Sequence, residues 1–418
     1  MIPDPKYCET MLRVMVFSLA VGGHHDEFLL HLVRFWCHQD IPGRLFPVVS
    51  PRFLTVNAEA VNSLAAYVPE KLCWSPLTPE EIQRFESQRW AFKKSLMEWA
   101  LLRHYAVTLR VTQGLIMFLD TFQTPLSLRL RAPCNLAGVY FRPTFHYKNY
   151  GWYHPSVRDC RRDLRKEWLM RWWLRHPALK TIFCLDPLAV EPLKRYSGHT
   201  DILYVPDPVE TTPGGEEAGA ELRRRLGIGP EARVFLLFGA ITVIKGVFQV
   251  LEALNHLSPP AATPVVLLLA GQAQEDLEAQ LQKQVQTLRS HPSVQVIRLN
   301  QYIPYQEVGA YFAMADVVLA PYQRHVGSSG ILMRAAAAGK PVLASDYGLM
   351  GELVRQHCLG ITVDASQPPA IAAGMLRFLQ QAPETLFDEV SAGKFAAEHS
   401  PEKFAQALCQ GLLGFEDR

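Results

Sequence analysis

The sequence predicts two doubly wound α/β domains in one chain. Three observations predict it: a series of short apolar runs separated by helical stretches, a change of composition at residues 210–220, and a second series beyond it. At 418 residues, with 49% hydrophobic and 20% charged residues, the chain exceeds one ordinary domain and can bury a large core. RVMVFSLA (13–20) is apolar throughout and of strand length, the pattern of a strand covered on both faces in a parallel sheet. It leads to Gly22-Gly23, and DEFLLHLVRFWCHQ follows with acids first and apolar residues at helical spacing, so the glycines occupy a strand-to-helix turn. GLIMFLD (114–120), LAGVYF (136–141) and KTIFCLD (180–186) continue the alternation. ETTPGGEEAGA (210–220) has no apolar anchor and reads as a linker or exposed loop. Beyond it, RVFLLFGA (233–240), PVVLLLAG (264–271), VQVIRL (294–299), ADVVLAPY (315–322) and PVLASD (341–346) are strand candidates, with helical segments at 275–290 and 305–314 between them. The expected division is 1–205 and 206–390, with 391–418 as a terminal helical segment crossing back to the first domain. Ligands of open α/β sheets bind outside the carboxyl ends of the strands, so the expected site is a cleft between the domains.

Composition narrows the function. A net charge of +2 and a pI near 8.1 make no general electrostatic case for nucleic-acid binding. The eight cysteines are scattered, with no C-x-x-C pair and no histidines at zinc spacing, which fits a reducing compartment and no metal site. MIPDPKYCETMLRVMVFSLA is neither a signal peptide nor a spanning helix, so a cytoplasmic protein is expected, soluble or peripheral on the inner face of the cell membrane.

Two loops of small residues carry chemistry. In FGAITVIKGVFQVLEAL, Gly239 follows a strand and Lys245-Gly246 precedes a helix, so the ammonium and the free N–H groups of the helix start can meet a phosphate. An ordinary solvated lysine has the same spacing. In HVGSSGILMRAAAAGKPVLASD (325–346), Gly327, Ser328, Ser329 and Gly330 permit close backbone approach and open a helix, which is an anion site. A serine-capped helix packing its alanines under a strand would read alike.

The order FG-x5-KG, LLLAG, YIPYQEVGAYFAMADVVLAPY, AAAAGKPVLASDYGLMGELV and LGITVD resembles the nucleotide-sugar-binding domain of GT-B glycosyltransferases, particularly family 4, over residues 203 to 380. The resemblance implies two Rossmann-like domains facing a cleft and a nucleotide diphosphate sugar as donor. It places Gly239, Lys245, Tyr302, Gly327, Ser328, Ser329, Gly330 and Arg334 at the donor. Gly22 and Gly23 look like the family's glycine turn, and PTFHY (143–147) like the segment carrying its cleft histidine, His146, which the resemblance makes catalytic together with Lys245. Taken alone, such a histidine reads as a structural hydrogen-bonder. The implied chemistry needs no metal or other cofactor, because Lys245 and the helix end stabilise the leaving diphosphate; retention of configuration is the family expectation.

Three positions depart from the pattern. The family's two donor-loop glutamates fall at Val326 and Arg334, and its phosphate arginine at Ala240, while Glu352 matches a common acid. Either the chain is an active transferase in which Lys245, the loop backbone and Arg324, His325 or Arg334 neutralise the diphosphate, or it is a non-catalytic GT-B protein that binds a nucleotide sugar or partners an active enzyme. The acceptor, whether glycan, lipid or small molecule, has no readable code.

RDCRRDLRKEWLMRWWLR (158–175) holds seven basic and three acidic residues, with Leu164, Trp168 and Trp172 at i, i+4 and i+8 and Trp173 and Leu169 widening that face. A basic helix with tryptophans suits an anionic membrane interface. The same face packed on the sheet, with solvated arginines, is the other reading.

Overall fold

The computed structural model describes residues 12–22, 24–210, 215–258, 260, 263–288 and 294–414. The first sheet contains β1 (Arg13–Ser18), β2 (Arg44–Val49), β3 (Ser75–Pro76), β4 (Gln113–Ile116), β5 (Asn135–Tyr140), β6 (Leu179–Cys184) and β7 (Asp201–Tyr204), in the order 3-2-1-4-5-6-7. The second contains β8 (Arg233–Phe238), β9 (Val265–Ala270), β10 (Val294–Leu299), β11 (Val317–Ala320), β12 (Val342–Ser345) and β13 (Gly360–Val363), in the order 10-9-8-11-12-13. The strand pairings are parallel in both sheets. Parallel neighbours need crossover helices, which cover both faces and make the inner strands apolar on both sides. β1 shows the result: Val14 and Val16 enter one buried cluster, Met15 and Phe17 the other.

The chain divides into two units. Met1–Asn149, Pro155–Pro208 and Pro401–Arg418 form the first, and Tyr150–His154 with Val209–Ser400 the second. In the first unit, the helix Pro401–Leu413 buries Phe404, Leu408 and Leu412 in the cluster of Val14 and Val16, with the Phe404 ring 4.9 Å from that of Phe28. In the second, Trp152 donates from Nε1 to Glu352 at 2.7 Å and lies 5.5 Å from the Tyr347 ring.

Most strands fall on the apolar runs, some at full length and others, such as β4 and β11, much shorter. β2, β3, β7 and β13 were not legible. β2 contains Pro47, which normally argues against an inner strand; it is tolerated because β3 pairs only with Val48 and Val49. β3 is two residues long, and β7 leaves Leu203 and Tyr204 exposed.

The helix Val157–Trp173 begins at a capping box between Ser156 and Asp159. It corrects the expected tryptophan face. Leu164, Trp168 and Trp172 are exposed, at 64%, 58% and 47%, whereas Trp173 is wholly buried, edge-on to Tyr140 at 5.5 Å, and Leu169 is half-buried. One residue advances the helix by about 100°, which carries Trp173 round to the core side with Asp163 and Met170. The helix therefore has both faces the sequence offered as alternatives. Among the described residues no helix is long and apolar enough to cross a membrane.

Candidate functional site

The second unit builds its site from three strand ends. After β8 the chain turns at Gly239 (φ 88), makes a short turn over Val243–Lys245 and enters the helix Val247–Leu254 through Gly246 (φ 71). A Cβ on Gly246 would stand 2.2 Å from the Pro321 carbonyl oxygen, and one on Gly271, after β9, 2.3 Å from that of Gly239. Positive φ and close backbone approach together require glycine at both places.

Lys245 lies under this turn. Its ammonium donates to the Phe238 carbonyl and sits 5.9 Å from the centre of the Tyr322 ring. Burial pushes its pKa down from 10.5 to about 8. Among the described residues its one hydrogen-bond partner is that carbonyl, and no carboxylate pairs with it. A half-buried cation without a counter-ion is disposed toward an anionic ligand.

The loop after β11 supplies the facing side. The Tyr322 hydroxyl and Ser329 Oγ are 3.1 Å apart, and a His325 ring nitrogen lies 3.1 Å from the Ser328 carbonyl. Ser328 Oγ is buried without a partner. The helix Gly330–Ala337 starts here with no side-chain cap from Ser329. Helix geometry leaves the first N–H groups, those of Gly330 and Ile331, without an intrahelical acceptor, and the dipole adds partial positive charge. A second helix, Gly348–Gln356, is pinned against the same loop: Leu349 N–H donates to Val326 O at 3.0 Å, and Gly348 (φ 84) lies where a Cβ would be 2.2 Å from His325 O. Arg324 adopts φ 51, unusual for a side chain of that size, and donates to His154 O at 2.9 Å. One ammonium, a free hydroxyl and free backbone N–H groups thus gather on the Tyr322 loop, an arrangement suited to a phosphate or diphosphate.

Of the residues expected at the donor, Gly239, Lys245, Gly327, Ser328, Ser329 and Gly330 belong to this assembly. Arg334 is one turn further along, with Nη1 3.4 Å from the Glu210 carbonyl and its guanidinium 5.8 Å over the Tyr305 ring. Tyr302 is 75% exposed, and among the described residues no hydrogen bond or ring contact links it to Lys245. Gly22 (φ 104) donates its N–H to Asp26 at 3.0 Å, with open space on its Cβ side; Gly23 lies outside the described residues. His146 has no exposed side-chain surface, and its Nε2 is 3.2 Å from Asp186 Oδ2. That carboxylate also accepts the Tyr147 hydroxyl at 2.5 Å and caps the helix Pro187–Lys194 through Leu188 N–H. Tyr322, Gln323 and Gly348 were not singled out from the sequence. Tyr322 ends an apolar run that reads only as a strand, and Gln323 bridges the Pro321 and Ala365 carbonyls, a contact that sequence spacing does not reveal.

Residues 220–388 match the model of the glycosyl transferases group 1. Among curated proteins, the D-inositol 3-phosphate glycosyltransferase of Corynebacterium urealyticum is 29% identical over 203 residues, 48% of this chain and 47% of that protein. The match thus spans about half the length of that relative. Among solved structures, the N-terminal domain of Candida albicans trehalose-6-phosphate phosphatase aligns with a TM-score of 0.67 at 12% identity, covering 97% of each chain. Anabaena HepE in complex with UDP and glucose aligns at 0.62 and 13%, covering 97% of this chain and 99% of the other. The two parallel sheets thus form the GT-B fold. Over residues 220–388 the chain is similar to the glycosyl transferases group 1, and over nearly its whole length its fold is similar to those of solved glycosyltransferases.

Proposed function

We propose that the chain transfers a sugar from a nucleotide diphosphate sugar, bound by the second unit, to an acceptor bound by the first. The observation that carries this is the half-buried Lys245 ammonium on the same loops as the free Ser328 hydroxyl and the N–H groups of Gly330 and Ile331. When the bond between sugar and diphosphate breaks, negative charge grows on the leaving phosphate. Fixed donors already aimed at that charge lower the barrier without reorganising. In this reading the ammonium and the helix end do what a divalent metal does elsewhere, and configuration at the sugar is retained. Arg334 replaces an acid expected at the ribose, so it sets donor preference. His146, held by Asp186, shapes the segment 143–147.

The exposed Leu164, Trp168 and Trp172, flanked by Arg158, Arg161 and Arg171, support a peripheral position on an anionic, cytoplasmic membrane face. In vesicle sedimentation, binding would require anionic lipid and weaken as salt rises. The transferase reading itself is tested by thermal shift with a panel of nucleotide sugars. A true donor at 100 times its dissociation constant stabilises by about 2.7 kcal/mol. A panel without any shift would favour a GT-B protein that has given up donor binding.

A further inference from the structure

A pocket of about 560 Å³ opens in the first unit beside the carboxyl ends of β1 and β4. That volume is ordinary for a small-molecule site, and the strand ends are where open α/β sheets take ligands. Five phenylalanines, Phe17, Phe85, Phe92, Phe118 and Phe122, line it, with Leu169 from the helix Val157–Trp173. Past Phe118 and Leu169 it continues into a chamber of about 400 Å³ lined by Arg142, Arg162, Arg165 and Lys166. The long space is therefore apolar at one end and cationic at the other.

The charges at the cationic end do not cancel. Arg162 is engaged by Asp159 at 2.7 Å and Asp163 at 3.1 Å. The one acid lining that chamber is Asp120, whose carboxylate accepts the Phe141 N–H at 3.0 Å and whose pKa burial raises. Lys166 donates to the Arg142 carbonyl at 2.7 Å; burial lowers its pKa, Asp120 and Asp163 oppose that shift, and Arg162 and Arg142 add to it. Arg142 and Arg165 have no ion pair among the described residues. At the apolar end, Lys94 lies 4.5 Å over the Phe85 ring, and the Glu98 carboxyl is buried, with Glu86 and Asp120 the other acids lining that pocket. Arg142 and Arg165 are exposed at the chamber mouth and Lys166 is half-buried, so an anion entering there would meet three cations, and the phenylalanines would take an apolar body attached to it.

We propose that this pocket binds an anionic amphiphile, with a phosphate-type head group at Arg142, Arg165 and Lys166 and its apolar chain among Phe85, Phe92 and Phe122. That this ligand is the acceptor rests on the transferase reading; the binding does not. Isothermal titration of the full chain with a monomeric long-chain alkyl phosphate, without donor, tests it. Inorganic phosphate and the matching alkyl alcohol serve as controls. The alkyl phosphate should bind at least tenfold more tightly than either control, and Arg142→Ala/Arg165→Glu should weaken it at least tenfold with circular dichroism unchanged. Trp168→Ser/Trp172→Ser, on the outward face of the same helix, should leave that affinity within twofold. Equal affinity for the alcohol, equal affinity for inorganic phosphate, an insensitive arginine variant, or affinity that falls with the tryptophans would each overturn the proposal. Alkyl phosphate binding in a protein that no nucleotide sugar stabilises would keep the pocket and sink the transferase reading. Nucleotide-sugar binding without alkyl phosphate binding would do the reverse.

Discussion

The two units hold their candidate ligands by different means. The Lys245 assembly of the second unit is mostly backbone: positive-φ glycines, three helix starts and a single half-buried ammonium. The pocket of the first unit is made of side chains, aromatic at one end and cationic at the other. A backbone site tolerates little change at its glycines and offers every phosphate ligand the same N–H groups. A side-chain pocket can be rebuilt residue by residue, so it is where a transferase can differ from its relatives in what it glycosylates.

The contrast can be broken by substitution. The largest effect is expected in the first unit's core. Trp173→Ala should cost about 3 to 5 kcal/mol in denaturant unfolding, because the whole indole is buried against Tyr140. Lys245→Ala should lower turnover of a donor by about 10² to 10³ while the protein stays folded, the range for losing one preorganised charge-stabilising donor. An unchanged turnover number would remove Lys245 from the site. Gly246→Ala should cost about 1 to 3 kcal/mol through strain at φ 71 and the clash with Pro321 O, and should weaken nucleotide binding with it. Stability and affinity at wild-type values would mean the turn is not rigid. The smallest effect is Trp168→Ala, expected within about 0.5 kcal/mol of wild type because the ring is exposed. A cost near that of Trp173→Ala would assign both rings to the core.

The second unit was the more legible in sequence because its site is local. FG-x5-KG and GSSG each place a turn, its glycines and a helix start within a dozen residues, and the structure builds its site on those same turns. The pocket of the first unit was invisible for the opposite reason. Its walls come from 17–20, 82–98, 118–124, 142 and 162–169, and nothing in the spacing says that these segments meet. The helix at 157–173 was legible in composition but not in orientation, since assigning Trp173 and Trp172 to different faces depends on which side docks. His146 could be found as a residue, but not its pairing with Asp186 forty positions on. Pro47 hid β2 because only the neighbouring short strand explains how a proline is accommodated there.

Titration reaches the central claim most directly. With its pKa lowered to about 8, Lys245 is protonated below that pH and increasingly neutral above it. An anionic diphosphate binds the ammonium form and raises its pKa, so affinity is greatest below about pH 8 and falls as pH rises through it. Binding of a panel of nucleoside diphosphates should be measured calorimetrically at pH 7 and pH 9.5, on the wild-type chain and on Lys245→Met. At least one nucleotide should bind, more tightly at pH 7, and Lys245→Met should lower affinity at pH 7 at least tenfold and flatten the pH dependence. No binding by any nucleotide, or a Lys245→Met variant that matches wild type at both pH values, would contradict it.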